Sequence, residues 1–177
     1  MSQQNKNQYK KRFSQEQWET LVDTLRIEVQ EYGALLNLIQ DQQKFIMSRD
    51  TESLVIMTEQ IDEQTIRSRS ICERREQLVN DLARSVGLKE KTILSDLLDY
   101  FPEKIQALLQ AFVEEIQTLF EKTQYKARQN HMLLSRAYEV TEQLIRMLRP
   151  TLSKTYNKNG AASFKISDNS VCISISG

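Results

Sequence analysis

One histidine, two cysteines and a dense supply of carboxylates are the residues of this 177-residue chain that could carry chemistry. A helical bundle can hold two irons when inward Glu residues combine with Glu-x-x-His pairs. His131 has Arg128 at the required spacing, so that motif fails, and His131 reads as a partly exposed helix residue. Neither Cys72 nor Cys172 neighbours His131 in sequence, so a Cys72–His131 nucleophile pair would have to be assembled by the fold. The chain has no glycine-rich phosphate loop and no serine in a nucleophile-elbow pattern. Arg67, Arg69, Arg74 and Arg75 interleave with Glu63, Glu73 and Glu76, the pattern of a salt-bridged helix surface. No enzyme, metal or cofactor is expected.

Composition narrows the partner. Lys plus Arg and Asp plus Glu balance at 24 each, so no overall field draws the chain to nucleic acid or an anionic membrane. The local excess of Lys6, Lys10, Lys11 and Arg12 lies among Gln and Asn, as in a solvated, disordered arm. Two cysteines in unlike contexts suit a reducing compartment. The start Met-Ser-Gln-Gln-Asn lacks the apolar stretch of a signal peptide, and no later segment is apolar enough to span a membrane. A cytoplasmic protein that binds another protein is expected.

The elements that would position such a binding surface are helices. Only 4 Gly and 2 Pro interrupt a chain rich in Gln, Glu, Leu, Ile, Arg and Lys. Ser14 and Gln17 form a capping box, with Phe13 and Trp18 placed to staple it. From Trp18, apolar positions step by alternating four and three residues through Val22, Leu25, Val29, Tyr32, Leu36, Ile39 and Ile46, the spacing of a coiled-coil seam. Leu21 and Leu35 widen it, as a helix with more than one neighbour requires. The pattern pauses at Ser48–Thr51, where Asp50 can cap a second rod that repeats the spacing from Leu54 to Leu82. Gly87 and Leu88 fit a left-handed helix cap. Thr92–Leu98 suits a short linking helix, and Pro102 suits a first helical position. A third rod from Ile105 to Met147 is roughly 70 Å long at 1.5 Å per residue and outreaches its partners.

The expected fold is thus all-α: an elongated antiparallel bundle of three long helices plus a short linking helix over 14–149, with a flexible N-terminal arm over 1–13 and a flexible tail over 150–177. Disorder is expected across most of 150–163. Phe164, Ile166, Val171, Ile173 and Ile175 then alternate with polar residues, a strand signal at the tail's end. Gln64 and Ser68 on the second rod, and Thr123, Lys126 and Asn130 on the third, put polar residues in the seams. They mark either a register-fixing polar layer or a solvated splay. The stripe Leu133, Leu134, Ala137, Val140, Leu144, Ile145, Met147 and Leu148 is broader than one seam needs. Its distal half serves either as core or as a face for an amphipathic partner helix, to which Met132 and Met147 would add deformable surface.

Three helical segments and one tail motif carry a resemblance. Leu35-Leu36-Asn37-Leu38-Ile39 through Ser48-Arg49-Asp50, Glu73-Arg74-Arg75-Glu76-Gln77-Leu78 closing on Gly87, and Asn130-His131-Met132-Leu133-Leu134 running to Leu148-Arg149-Pro150 come in that order. Thr155-Tyr156-Asn157-Lys158-Asn159-Gly160 follows the helix-ending proline with a Tyr-x-x-x-Gly. Over roughly residues 20–177 the chain resembles the FlgN family of flagellar export chaperones. Gln43-Lys44 departs from it where an acidic residue is common.

The resemblance implies a cytosolic chaperone that binds the C-terminal helical region of hook–filament junction proteins of the FlgK and FlgL type. It also implies docking on the cytoplasmic domain of the export gate protein FlhA. Leu133, Leu134, Ala137, Val140, Leu144, Met147 and Leu148 are then the candidate cargo-binding residues, and Tyr156 and Gly160 the candidate gate-docking residues. The alternative is a structural coiled coil that self-associates through the same seam.

Overall fold

The computed structural model describes residues 13–89, 92–148, 154–156 and 162–164, which fall in two compact units, Met1–His131 and Met132–Gly177. Long helices α1 (Gln15–Ser48), α2 (Thr51–Ser85) and α4 (Glu103–Leu148) are joined by the one-turn α3 (Leu94–Leu97) and a 3₁₀ turn, Leu98–Tyr100. The all-α class and the three long helices with a linking helix agree with the seam spacing.

Local chemistry sets the helix ends. Gln17 N–H donates to Ser14 Oγ, and Ser14 N–H donates to Gln17 Oε1 at 2.9 Å, so the capping box closes at both hydrogen bonds. Phe13 is buried; its ring packs on Phe101 at 4.6 Å between centroids, and its N–H donates to the Tyr100 carbonyl at 3.3 Å. The residue expected to staple α1 therefore also ties it to the segment before α4.

The hairpin between α1 and α2 turns on Arg49, in the left-handed region at φ 58°. Asp50 N–H reaches back to the Phe45 carbonyl (3.1 Å), and the Asp50 carboxylate accepts from Ser53 N–H (3.1 Å), opening α2. α2 closes the same way on Gly87, at φ 79°, with Leu88 N–H donating to the Ala83 carbonyl at 2.9 Å. Pro102 sits one position ahead of the expected site: its carbonyl accepts from Gln106 N–H (3.1 Å), which makes it the residue capping α4. A proline fits there equally well, since that position needs no backbone donor.

Within the first unit, α1 and α2 pack antiparallel along their lengths. Leu109 of α4 is buried beside Leu21 and Leu25, while Asn130 meets Ile39, so α4 runs parallel to α1. The densest core lies at one end, where Phe13, Leu21, Leu25, Leu82, Leu97, Phe101 and Leu109 converge from all four helices and their links. Burying each such side chain contributes about 1.5–3 kcal/mol. At the hairpin end Met47, Val55 and Ile56 are exposed.

The second unit contains β1 (Lys154–Tyr156) antiparallel to β2 (Ala162–Phe164), with Thr155 opposite Ser163. Strand pairing uses main-chain groups and does not need the apolar alternation that begins at Phe164; the rest of 150–163, where disorder is expected, lies outside the described residues. Residues 165–177, where most of that alternation falls, and the basic arm up to Arg12 lie outside the described residues.

Candidate protein-binding site

In the second unit the end of α4 presents two adjacent apolar rows. Leu133, Ala137, Val140, Leu144 and Met147 form one, and Leu134, Tyr138, Ile145 and Leu148 the other, by the i, i+3, i+4 rule. Polar Arg136, Glu139, Gln143 and Arg146 take the opposite side. Leu133 and Leu134 are half-buried and Ala137 is exposed. Val140 is 51% exposed, Leu144 54%, Met147 79% and Leu148 82%, so more than half of each side chain's surface meets solvent. Isolated exposed apolar residues are ordinary, but two adjacent rows on one helix, broken in the second only by Thr141, make a candidate interaction surface. Ion pairs such as Arg146–Glu142 at 3.0 Å stay on the polar side and leave the apolar rows uncovered.

In the first unit Gln64, Ser68 and Asn130 are buried and paired and Lys126 is half-buried and paired, as in a polar layer, while Thr123 is buried with its Oγ1 unpartnered. Gln64 Nε2 donates to the Glu31 carbonyl at 3.0 Å and to the Glu31 carboxylate, and Ser68 Oγ donates to the Gln64 carbonyl at 3.0 Å. Asn130 Nδ2 donates to the Ile39 carbonyl (2.8 Å) and Gln42 Oε1 (2.9 Å), while Lys126 Nζ donates to Gln43 Oε1 (3.3 Å). Paired polar layers of this kind fix register between helices.

Sequence reasoning missed the ion pair between Glu28 and Arg75. The Glu28 side chain is fully buried, and Arg75 Nε donates to its Oε2 at 2.7 Å. Burial pushes the Glu28 carboxyl above its ordinary value, and the Arg75 charge only partly offsets that. Arg69 and Arg67 do pair with Glu73 and Glu63 on the surface as expected. Arg75 does not; its position in the seam was the signal that it points inward.

Beside this pair, α2 and α4 flank a cleft of about 390 Å³ over α1, lined by Leu25, Glu28, Tyr32, Arg75, Val113 and Phe120 among others. Tyr32 and Phe120 meet edge to face at 6.0 Å. A neighbouring cleft of about 570 Å³ shares Tyr32, Cys72 and Phe120 and continues past Leu35, Ile39 and Thr123.

Among the described residues, groups that could do covalent chemistry are not gathered. Cys72 Sγ accepts from Arg75 (3.2 Å) and faces Glu76 (3.8 Å), not His131, and burial raises its thiol pKa. A thiol pushed up is a poor nucleophile at neutral pH. His131 is exposed on α4. Among the described residues no three of His, Cys, Asp and Glu converge as a metal site, and no helix is long and apolar enough to cross a membrane. Tyr156 ends β1, whereas Gly160 and Cys172 lie outside the described residues.

A family model described as FlgN protein matches residues 17–163, from the first turn of α1 into β2. The chain belongs to the FlgN family. FlgN proteins are flagellar export chaperones, a chaperone family and not an enzyme family. The FlgN match spans the polar layers, both helix hairpin caps, the apolar rows and β1 together. No curated protein matched the chain. No solved structure matched it.

Proposed function

We propose that this FlgN-family chain is a cytoplasmic chaperone for hook–filament junction proteins of the FlgK or FlgL type. It holds the amphipathic C-terminal helix of such a cargo along Leu133, Leu134, Ala137, Val140, Leu144, Met147 and Leu148. Covering that helix prevents premature assembly, because the same apolar face would otherwise pair with other subunits. The observation that carries the reading is the solvent exposure of two adjacent apolar rows at the end of α4. A helix laid in that face would bury a moderate area, so release needs no nucleotide hydrolysis. Tyr156 and Gly160, in the Tyr-x-x-x-Gly that follows the helix-ending proline, are the residues that dock on the cytoplasmic domain of the gate protein FlhA.

Calorimetry with the C-terminal helical fragment of a junction protein, and separately with the FlhA cytoplasmic domain, tests both halves. Val140→Asp is expected to abolish cargo binding and leave gate binding intact, and Tyr156→Ala to do the reverse. Unchanged cargo affinity in Val140→Asp overturns the cargo assignment, and unchanged gate affinity in Tyr156→Ala overturns the docking assignment. A stable dimer in sedimentation whose rows stay closed when cargo is added would make the chain a self-associating coiled coil instead.

A further inference from the structure

The second unit pairs two strands of three residues each, with Lys154 opposite Phe164, Thr155 opposite Ser163 and Tyr156 opposite Ala162. Among the described residues the sheet ends at β2, which leaves one edge of its main-chain groups open to a further strand. A two-stranded hairpin is marginal in water by itself, and a third strand with an apolar face is what makes such a sheet hold. The residues after Phe164 match that edge. Ile166, Val171, Ile173 and Ile175 continue the alternation, and Asp168-Asn169, two residue types that tolerate the left-handed region, sit where a two-residue turn would reverse the chain. Such a turn sets Ser167 against Ser170, and every later pair follows from it.

That register puts Ile166 opposite Val171, Phe164 opposite Ile173 and Ala162 opposite Ile175, while Lys165 meets Cys172 and Ser163 meets Ser174. Apolar meets apolar and polar meets polar at every position. A slip of one residue would set Ile166 against Ser170 or Cys172 and Phe164 against Cys172 or Ser174, which ends the match. Directly opposite residues share a sheet face, so Tyr156, Ala162 and Ile175 fall in one row across three strands. One face would thus carry Tyr156 together with the apolar set, with Lys154 at its margin, and the other Thr155, Ser163, Lys165, Cys172 and Ser174. A second copy or a foreign strand could pair with the same edge, but neither is joined to it by two residues. Closing so short a loop costs little chain entropy, which favours the chain's own tail.

We propose that residues 170–176 pair antiparallel with β2 as a third strand and hold the hairpin in the form that presents Tyr156. The second half rests on the reading of Tyr156 as the gate-docking residue; the first half does not. The test uses the full-length, isotope-labelled chain in nuclear magnetic resonance at two concentrations, and calorimetry with the FlhA cytoplasmic domain. The pair that closes a two-residue turn is hydrogen-bonded, so Ile166–Val171 and Phe164–Ile173 fall at the closer, non-hydrogen-bonded positions. Hα–Hα contacts within both pairs are expected, equally strong in the dilute and the concentrated sample. Ser174 sits at a hydrogen-bonded position of this register. Ser174→Pro therefore removes a ladder donor and is expected to abolish the Phe164–Ile173 contact with helical circular dichroism unchanged, whereas Ser174→Thr keeps it. Gate affinity is expected to fall at least ~5-fold in Ser174→Pro, because a hairpin formed in a fraction of molecules binds in proportion to that fraction. Absence of the two contacts, or their survival in Ser174→Pro, overturns the pairing. So does their growth with concentration, which would assign the strand to a second copy. Full gate affinity in Ser174→Pro beside a loss in Tyr156→Ala overturns the positioning role and leaves the docking assignment standing. Full affinity in both variants removes the docking assignment and the positioning role with it, while the Hα contacts still decide the pairing.

Discussion

Asn130 on α4 donates through Nδ2 to the main-chain carbonyl of Ile39 on α1 at 2.8 Å, a bond between residues 91 positions apart. It fixes how far along α1 the third long helix sits, because the carbonyl lies at one height only. Asn130→Ala is expected to cost about 1–3 kcal/mol, since it removes the donor and opens space in a buried layer. Urea unfolding followed by circular dichroism measures it; a change within a few tenths would mean that the layer does not hold register.

Removing Arg75 isolates the buried Glu28 carboxylate. Arg75→Met is expected to destabilise by about 3–5 kcal/mol at neutral pH, discounted toward the lower figure because Arg75 is 25% exposed. The pH dependence has a definite sign. Burial raises the folded Glu28 pKa above its unfolded value, so the folded chain holds this proton more tightly. Its favourable contribution is complete below the unfolded pKa and is lost as pH rises through the folded one. Glu28→Gln cannot titrate, so stability of the wild type relative to Glu28→Gln should fall with rising pH across that acidic window. A difference that is flat, or that grows with pH, would contradict the assignment.

Arg49 and Gly87 occupy the same left-handed cap geometry, at φ 58° and 79°, with opposite costs. A non-glycine residue there carries about 1–2 kcal/mol of strain. Arg49→Gly is therefore expected to raise stability by about 1 kcal/mol and Gly87→Ala to lower it by a similar amount. No atom lies within 4 Å of a Cβ added at Gly87, so the loss would be conformational strain alone. Melting temperatures of the two variants, shifted in opposite directions, check both.

Leu144 is 54% exposed, so placing a charge there should leave folding nearly unchanged, within about 0.5 kcal/mol. Leu144→Asp should at the same time weaken binding of a junction-protein helix at least ~30-fold, as loss of a central interface contact does. Thermal unfolding and calorimetry on the same preparation separate the two effects. A large drop in stability would instead make the row part of the chain's own core.

Most of the bundle was legible in the sequence because its determinants are local or periodic. Ser14, Asp50 and Gly87 cap helices through bonds to residues a few positions away, and the four-three spacing names the inward positions. What escaped depends on distance between elements. Arg75 belongs at once to the seam and to a run of surface charges, and only the buried Glu28 facing it decides between them. The clefts beside Glu28 lie where α4 meets α1 through long side chains such as Phe120 against Tyr32 and Lys126 against Gln43, contacts that no linear pattern encodes. The Thr155–Ser163 pairing escaped because main-chain hydrogen bonds leave little mark on side-chain type. The exposure of Val140 to Leu148 was legible as a surplus of apolar residues.

The clustering of Phe13, Leu21, Leu82, Leu97 and Phe101 at one end of the first unit gives its mechanical behaviour a direction. Amide protons on those turns should exchange only through global unfolding, while those beside Met47, Val55 and Ile56 exchange through fraying of the hairpin tip. The molecule would then open as a clasp does, hinged at the aromatic end. Its tip could yield to a narrow passage or a pulling partner long before the hinge lets go.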